Sequence, residues 1–257
     1  MNVKAKKHLG QHFLTDENIA KKIVEGLDFQ PYQYVLEVGP GTGVLTKYLL
    51  EKPTETYVAE IDTESIEYLK LHYQKLENKH FTGDFLKINL SDVFSGEVAV
   101  IGNFPYNISS QILFKIIENY QQIPEMVGMF QKEVAERTAA VPRTKDYGIL
   151  SVLVQAYYDV KYLFTVHENV FNPPPKVKSG VIKLTRNRKE GLEGNEILFK
   201  QIVKTGFGQR RKKLSNALKS LEIPEVLKSH AFMDKRAEEL SVEDFINFTK
   251  EWKAAKN

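Results

Sequence analysis

Apolar positions in the first two-thirds of the chain alternate between helical spacing and short apolar runs. Apolar residues at 19, 20, 23, 24 and 27 recur on one face of a helix, whereas 34–38 is a short run that ends at glycines. Further helices are predicted over 44–50, 65–76, 111–120 and 133–139. Further strands are predicted over 56–61, 80–82, 97–102, 126–131, 149–158 and 180–185. This alternation predicts an α/β domain with a Rossmann-like, doubly wound, mainly parallel sheet.

The last quarter of the chain has almost no strand pattern. Helical spacing predicts helices over 197–205 and 212–221, and Ser241, which two acids follow closely, predicts the start of a final helix. The charged, glycine-containing stretch 186–195 predicts a domain boundary. We therefore expect an α/β domain over 1–190 and a small all-helical domain over 191–257.

The composition excludes several classes of protein. The chain has no cysteine, which excludes disulfide scaffolds, thiolate metal sites and cysteine nucleophiles, and its six histidines are dispersed. No apolar run approaches the ~18 residues of a membrane span, and no apolar segment follows the basic N-terminus as in a secretion signal. Neither Gly-x-Ser-x-Gly nor a Gly-Lys-Ser/Thr phosphate loop occurs. We expect a cytoplasmic protein without a bound metal.

The net charge of +3 conceals an uneven distribution. Three acid-free windows, 1–10, 175–189 and 200–221, carry sixteen lysines and arginines, which leaves a charge of −13 on the rest of the chain. Such an uneven distribution of charge predicts contact with a polyanion, although runs of like charges often form only a solvent-exposed face of a protein.

Glycines 39, 41 and 43 follow the first predicted strand, where glycine lets the backbone turn sharply and a ligand approach closely. The nicotinamide and flavin fingerprint Gly-x-Gly-x-x-Gly fails, because Val44 stands at its last position. Gly-x-Gly-x-Gly after Glu37 instead looks like the first motif of S-adenosylmethionine-dependent methyltransferases. Gly39 and Gly41 are therefore candidate cofactor-binding residues, unless the segment is an ordinary loop.

Two acids end the next two predicted strands. Glu60 can accept hydrogen bonds from both ribose hydroxyls of a nucleoside cofactor, because two carboxylate oxygens match two vicinal donors. Asp84 can accept one from the adenine amino group of the cofactor. Each acid alone is compatible with a solvated side chain, but ligands of open parallel sheets bind at the edge where these strand ends meet.

The fourth predicted strand runs into Asn103-Phe-Pro-Tyr106. The exocyclic amine of adenine is a poor nucleophile, because its lone pair is delocalised into the ring. The Asn103 side-chain oxygen and the Phe104 carbonyl can accept hydrogen bonds from the amine and free that lone pair, while Tyr106 stacks on the purine. Positioning is then the main catalytic contribution. The alternative is a plain Asn-x-Pro turn.

A second aromatic residue is expected on the other side of the base. Phe171 precedes the stiff run of prolines at 173–175 and is the candidate, although such a run is also typical of a rigid linker. The target base must be flipped out of its RNA to enter a pocket of this kind.

Seven segments along nearly the whole chain resemble, in their order, the ribosomal RNA adenine N6,N6-dimethyltransferases. They are 9–14, 37–41, 102–109, 131–134, 147–152, 171–177 and 207–212. The resemblance implies a methyltransferase domain over 1–190, a helical rRNA-binding domain over 191–257, and S-adenosylmethionine as cofactor. The implied cofactor contacts are His12, Leu14, Gly39, Glu60, Asp84 and Asn103. The implied substrate-adenine pocket is formed by Asn103, Phe104, Tyr106 and Phe171.

Two positions depart from many relatives, which carry Asn in place of His12 and Leu in place of Phe104. A contact through the backbone of His12 survives that change. Phe104 works through its carbonyl, so its side chain is expected to be tolerated.

The implied reaction transfers four methyl groups to N6 of two adjacent adenines in a hairpin near the 3′ end of 16S rRNA, on the immature 30S subunit. We expect a monomer that acts in the cytoplasm without a membrane or a metal. The basic cluster at Arg210, Arg211, Lys212 and Lys213 is expected to bind rRNA phosphates, unless it is a solvated helix face. Two alternatives remain: a resistance-type 23S rRNA adenine methyltransferase, and a non-catalytic RNA-binding assembly factor on the same fold.

Overall fold

The computed structural model describes residues 3–256 and is built around one six-stranded sheet. The strands are β1 (Phe13–Leu14), β2 (Tyr34–Val38), β3 (Glu55–Ala59), β4 (Val98–Asn103), β5 (Glu125–Gln131), β6 (Tyr158–Val166), β7 (Phe171–Asn172) and β8 (Ser179–Arg186). The sheet has the strand order β3-β2-β4-β5-β8-β6. The two-residue strands β1 and β7 pair with each other, antiparallel, outside this sheet.

Helices follow most of the strands and make up the C-terminal part. They are α1 (Glu17–Val24), α2 (Thr46–Leu49), α3 (Thr63–His72), α4 (Leu90–Val93), α5 (Ser109–Glu118), α6 (Lys132–Thr138), α7 (Ile149–Gln155), α8 (Glu196–Gly208), α9 (Leu214–Ala217) and α10 (Val242–Ala254). Asp16 caps α1 by accepting from the backbone N of Ile19 at 3.0 Å, and the predicted apolar face of α1 is buried. Within residues 3–256, no helix is long and apolar enough to cross a membrane.

The strand pairing confirms the predicted α/β, Rossmann-like class. β2 pairs in parallel with β3 and β4, β4 pairs in parallel with β5, and β8 is antiparallel to β5. β2 and β4 are buried almost throughout, as their apolar sequences predict for strands covered on both faces. The chain leaves β2 for β3 on one side and later adds β4 on the other. The loops after β2 and β4 therefore diverge at a switch point, where ligands of open sheets bind.

The strand predicted over 149–158 is wrong, because Ile149–Gln155 forms α7. A continuous apolar run has neither the helical nor the strand period, so the tertiary context decides between them. The Ser151 hydroxyl accepts from the backbone N of Gly148 at 3.0 Å and donates to the Arg137 carbonyl at 2.6 Å, which caps the first helical turn. The next strand is instead β6, at the edge of the sheet.

Several other predicted elements are shorter than expected, and turns interrupt two of them. The strand predicted over 80–82 is reduced to a single bridge between Phe81 and Val58, and the helix predicted over 212–221 is reduced to α9. Both segments begin with a tight turn: the backbone N of Phe81 donates to Asn78, and that of Lys212 donates to Gln209. Such turns interrupt an element without changing its apolar spacing.

The chain forms two compact units. The first comprises the described residues up to Ala135 together with Val160–Arg186, and the second comprises Glu136–Asp159 and the described chain from Asn187. Residues 136–159, which the sequence assigns to the first domain, thus belong to the second unit. Within that unit α7 packs against α8, and the Tyr147 hydroxyl donates to the Leu240 carbonyl at 2.9 Å. Contacts between such distant segments leave no local mark in the sequence.

Candidate active site

A cleft lies at the carboxyl ends of β2, β3 and β4 in the first unit, and the empty space within it, including the part open to solvent, is about 890 Å³. The predicted site residues that line it are His12, Gly39, Gly41, Glu60, Asp84, Asn103, Phe104 and Tyr106. Leu14 and Phe171, which are also predicted site residues, do not line it.

The turn after β2 requires glycine at Gly39 and Gly41. Both residues have left-handed backbones, with φ of +69° and +55°. A Cβ atom at Gly41 would also lie 2.7 Å from Cε1 of Phe13, and one at Gly39 would enter the gap towards Pro105, 3.8 Å away. Gly39 therefore keeps the space between the β2 and β4 loops open, and Gly41 leaves room for the Phe13 ring.

Glu60 joins the glycine turn to the chain after β3. Its Oε1 accepts from the backbone N of Ile61 at 2.8 Å and of Asp62 at 2.9 Å, and its Oε2 accepts from that of Gly41 at 3.3 Å. Burial raises the pKa of the Glu60 carboxyl, against the opposing effect of these three hydrogen bonds. With two lone pairs on each oxygen, Oε2 retains a place for one more donor. This geometry accommodates one ribose hydroxyl more readily than the two expected.

Asp84 is the more exposed acid of the cleft. Its Oδ1 accepts from the backbone N of Leu86 at 3.0 Å, and Nζ of the exposed Lys87 lies 3.5 Å from Oδ2. Oδ2 therefore has room for an amino-group donor, as the predicted contact with the cofactor adenine requires. Over residues 3–256, no group of three or more histidines and acids is placed to hold a metal ion.

Glu37, in β2, is buried beneath the glycine turn. Its Oε2 accepts from the Thr46 hydroxyl at 2.6 Å. Burial raises the pKa of Glu37 to about 8, and the neighbouring charge of Glu60 adds to the rise. The Glu37 carboxyl is therefore mostly protonated at neutral pH.

Replacing Glu37 with glutamine is expected to remove a pH dependence of stability. A carboxyl whose pKa is higher in the folded than in the unfolded protein binds protons on folding, so the wild type loses stability as the pH rises from about 4.5 to about 8. At about 1.4 kcal/mol per pKa unit, the loss amounts to a few kcal/mol. Urea unfolding of both proteins across this range measures it. A difference in unfolding free energy between them that does not change with pH would contradict the assignment.

The Asn103 side chain is oriented by a hydrogen bond inside the cleft. Its Nδ2 donates to the His12 carbonyl at 2.8 Å, and this bond assigns the two ends of the amide. Among the described residues, none donates a hydrogen bond to Oδ1. The side chain thus has the free acceptor that its predicted role requires.

Phe104 anchors the tetrapeptide through its ring. The residue is 1% exposed, and its ring packs against Phe130 with centroids 4.9 Å apart, in a space opened by Gly102 and Gly128 of neighbouring strands. A Cβ atom at Gly128 would lie 2.1 Å from Cε2 of Phe104, so the ring depends on this glycine. The backbone N of Phe104 donates to Met129 at 3.1 Å, whereas its carbonyl accepts no hydrogen bond from the described chain. The second predicted acceptor is therefore also free.

Tyr106 is held in place by a residue that the sequence pattern does not identify. Its hydroxyl lies 2.5 Å from Oγ of Ser179, which is fully buried at the start of β8. Burial raises the pKa of the Tyr106 phenol, so the hydroxyl keeps its proton near neutral pH. A lone serine after a proline-rich stretch carries no local signal that connects it to Tyr106.

Leu14 and Phe171 lie in the apolar core instead of the cleft. They are register partners in β1 and β7, they are 3% and 4% exposed, and they pack in one cluster with residues of α1 and β5. Successive residues of a strand point to opposite faces, so Phe171 turns inwards while Asn172 is exposed. Phe171 therefore does not line this cleft, and its role as the second wall of the base pocket stays a prediction. Leu14 lines a separate, smaller cleft next to the glycine turn.

The Arg210 guanidinium, in the second unit, forms hydrogen bonds with three other residues of the same chain. Its Nε lies 2.5 Å from the Glu238 carboxylate, and its two terminal nitrogens donate to the carbonyls of Lys145 at 2.8 Å and Thr144 at 3.0 Å. A guanidinium that is bound on three sides holds the fold together. Arg210 is therefore less available to an rRNA phosphate than the sequence predicts.

The other three basic residues of the predicted cluster differ from one another. Nζ of Lys213 lies 2.9 Å from Asp234, whereas Arg211 and Lys212 are exposed and have no ion-pair partner in the described chain. All three precede α9, which begins at Leu214. Arg211 and Lys212 are thus the free cations of the cluster.

Known proteins resemble this chain over nearly its whole length. A family model described as "Ribosomal RNA adenine dimethylase" matches residues 2–254. The chain is 59% identical over 253 residues to ribosomal RNA small subunit methyltransferase A of Flavobacterium johnsoniae. This match covers 98% of this chain and 97% of that protein. It is 57% identical over 249 residues to the protein of the same name from Cytophaga hutchinsonii, and this match covers 96% of each protein.

Two solved structures share the fold. A dimethyladenosine transferase from Plasmodium falciparum matches with a TM-score of 0.83 and 26% identity, over 95% of this chain and 98% of that chain. The 23S rRNA methyltransferase ErmE matches with a TM-score of 0.68 and 25% identity, over 94% and 99%. From the extent of these matches, the chain belongs to the ribosomal RNA adenine dimethylase family.

Proposed function

We propose that this protein uses S-adenosylmethionine to dimethylate N6 of two adjacent adenines in a hairpin near the 3′ end of 16S rRNA, on the immature 30S subunit. The observation that carries the proposal is the pair of free acceptors at the end of β4, the Asn103 amide oxygen and the Phe104 carbonyl. The relatives with 57–59% identity, which are named small-subunit rRNA methyltransferases, support the choice of substrate.

The cleft fits a nucleoside cofactor. The gap at Gly39 admits a ligand close to the backbone, and Glu60 and Asp84 each keep an oxygen for a hydroxyl or amino donor. Glu60 would hold the ribose and Asp84 the adenine amine. S-adenosylmethionine, when bound, supplies an activated methyl group on a positively charged sulfur.

Asn103 and Phe104 would act on the amine of the target adenine. In the first transfer their two oxygens accept hydrogen bonds from its two protons, and in the second transfer one oxygen accepts from the single proton that remains. These hydrogen bonds draw the nitrogen lone pair out of conjugation with the ring. Because the His12 carbonyl already fixes the Asn103 amide, this acceptor needs little reorganisation when the substrate arrives. The Tyr106 ring, held by Ser179, offers a stacking surface to the purine.

Replacing Ser179 with alanine is expected to slow methyl transfer roughly tenfold, because Tyr106 is then less well positioned. Stability should fall by about 1 kcal/mol, since the partly buried Tyr106 hydroxyl loses its partner. Removing that hydroxyl as well, with Tyr106→Phe, should recover most of the lost stability. Thermal unfolding and single-turnover transfer of a labelled methyl group measure the two effects. Strictly additive losses of stability in the double variant would show that the hydroxyls do not interact.

The second unit would supply the contact with rRNA. The exposed, unpaired Arg211 and Lys212 can bind phosphates through charge, in a way that does not depend on base sequence. Recognition of the folded RNA would then rest on shape and phosphate contacts. With this substrate the protein acts in the cytoplasm. Because one chain carries both units, a monomer is sufficient for rRNA binding and methyl transfer.

Modification of rRNA in cells tests the proposed function. Dimethylation removes both amino protons of adenine, so the base no longer pairs and reverse transcriptase stops there. We expect stops near the 3′ end of 16S rRNA from cells that carry the gene and none from cells that lack it. Identical patterns in the two strains would refute the proposal.

Purified protein distinguishes the alternative functions. We expect transfer of a labelled methyl group to immature 30S subunits and none to naked 23S rRNA. A resistance-type enzyme, with a substrate like that in the name of ErmE, would give the reverse result. A non-catalytic assembly factor would label neither RNA and would bind 30S subunits equally well after Asn103→Ala.

A further inference from the structure

One face of the Tyr106 ring is covered by the imidazole of His12. The two ring centroids are 5.5 Å apart, their planes are inclined by 28°, and both residues line the cleft. A purine stacked between them needs the rings roughly 7 Å apart, because stacked carbon atoms are separated by about 3.5 Å. The two rings therefore leave no room for a base between them.

The backbone of His12 is fixed on two sides. Its carbonyl accepts from Nδ2 of Asn103, and the next residue, Phe13, pairs with Asn172 between β1 and β7. A shift of this backbone would release the Asn103 amide. The imidazole, in contrast, is only partly buried and makes one hydrogen bond, from Nδ1 to the Pro173 carbonyl at 2.8 Å. Only the side chain can move without disturbing the amide that orients the substrate.

We propose that His12 is a gate for the substrate adenine. Its imidazole occupies a stacking place on Tyr106, and it rotates away when the flipped base arrives. The inference rests on the proposed function, because that function gives Tyr106 its purine-stacking role. An entering base must replace both the ring stack and the hydrogen bond to Pro173. A pyrimidine, with its smaller stacking area, displaces the imidazole less readily than a purine, so the gate favours purines.

Steady-state methyl transfer to immature 30S subunits, at saturating S-adenosylmethionine, tests the gate. In His12→Ala no ring competes with the base, so the KM for the subunits should fall about three- to tenfold. His12→Phe keeps a ring but loses the hydrogen bond to Pro173, so its KM should lie between those of the wild type and His12→Ala. Calorimetry should give both variants an affinity for S-adenosylmethionine within about twofold of that of the wild type, because a cofactor contact through the His12 backbone survives a change of side chain.

His72 provides a matched control away from the cleft. On the exposed side of α3 it stacks on Tyr68 with centroids 3.9 Å apart, and its Nδ1 lies 2.8 Å from the Tyr68 carbonyl. His72→Ala removes the same side chain from a similar arrangement. It should leave the KM for the subunits unchanged.

The possible outcomes separate the gate from other roles of His12. A KM that rises in His12→Ala would make the imidazole a wall of the base pocket, and an unchanged KM would leave it without a role in base entry; either result overturns the gate. Weaker binding of S-adenosylmethionine also overturns it, because the side chain would then serve the cofactor. Melting temperatures confirm that the variants are folded. If the wild type transfers no methyl group to 30S subunits, the proposed function is wrong. If the wild type is active, the results of the variants test only the gate.

Discussion

Asn103→Ala is expected to reduce methyl transfer roughly 10²- to 10³-fold while S-adenosylmethionine binding is weakened but still measurable. The change removes one acceptor for the adenine amine and also frees the His12 carbonyl from its only side-chain donor in the described chain. Because the lost interaction acts on the reacting amine, the loss should appear in kcat more than in KM. Single-turnover transfer of a labelled methyl group and calorimetry measure the two quantities.

Asn103→Asp tests whether the orientation of this side chain matters in addition to its ability to accept a hydrogen bond. An aspartate keeps an acceptor for the amine, but it places a second carboxylate oxygen against the His12 carbonyl, where Nδ2 now donates at 2.8 Å. Two acceptors repel, so the side chain should turn away and activity should fall nearly as far as in Asn103→Ala. Asn119 offers a matched control, since its Nδ2 donates to the Lys115 carbonyl at 2.8 Å at the end of α5. Asn119→Ala should keep its turnover, whereas normal turnover by Asn103→Ala would refute the role of the amide.

Neutralising Arg211 and Lys212 together is expected to weaken binding to immature 30S subunits and to flatten its salt dependence. Each phosphate contact contributes roughly 0.7–0.9 to the slope of log affinity against log salt concentration, so the double variant should lose about 1.5 from that slope. Binding measured at several salt concentrations gives the slope directly. An unaltered slope would leave these two side chains as a solvated surface.

Arg210 provides the contrast for that experiment. Its guanidinium is bound to Glu238 and to two backbone carbonyls, so Arg210→Ala should lower the melting temperature. Its salt slope, measured below that temperature, should stay close to that of the wild type. The two variants thus distinguish a charge that serves the fold from charges that serve the RNA.

Local signals were sufficient to predict five of the six strands of the main sheet and most of the cleft residues. A short apolar run that stops at Gly39 predicts a buried strand followed by a turn, and Glu60 and Asp84 stand where the next two strands were expected to end. These signals depend on neighbouring residues and on the period of side chains, so one sequence contains them. The cleft brings the three residues together, as the rule for ligands of open parallel sheets predicts.

Features that depend on long-range packing could not be predicted. Ser179 contacts Tyr106 across 73 residues, and the Phe104 ring fits only because Gly128 stands beside it on the next strand. The inward direction of Phe171 follows from the pairing of β1 with β7, which the proline-rich sequence does not reveal. Residues 149–155 form a helix for a similar reason, because a continuous apolar run is compatible with either structure until its neighbours are known.

A crystal structure of the protein with bound S-adenosylmethionine tests most directly whether the cleft brings a methyl donor to the Asn103 amide. We predict that the ligand lies against Gly39, with its ribose at Glu60, its adenine at Asp84 and its methyl group directed towards Asn103. A ligand bound outside this cleft, or one whose methyl group points away from Asn103, would contradict the proposed chemistry.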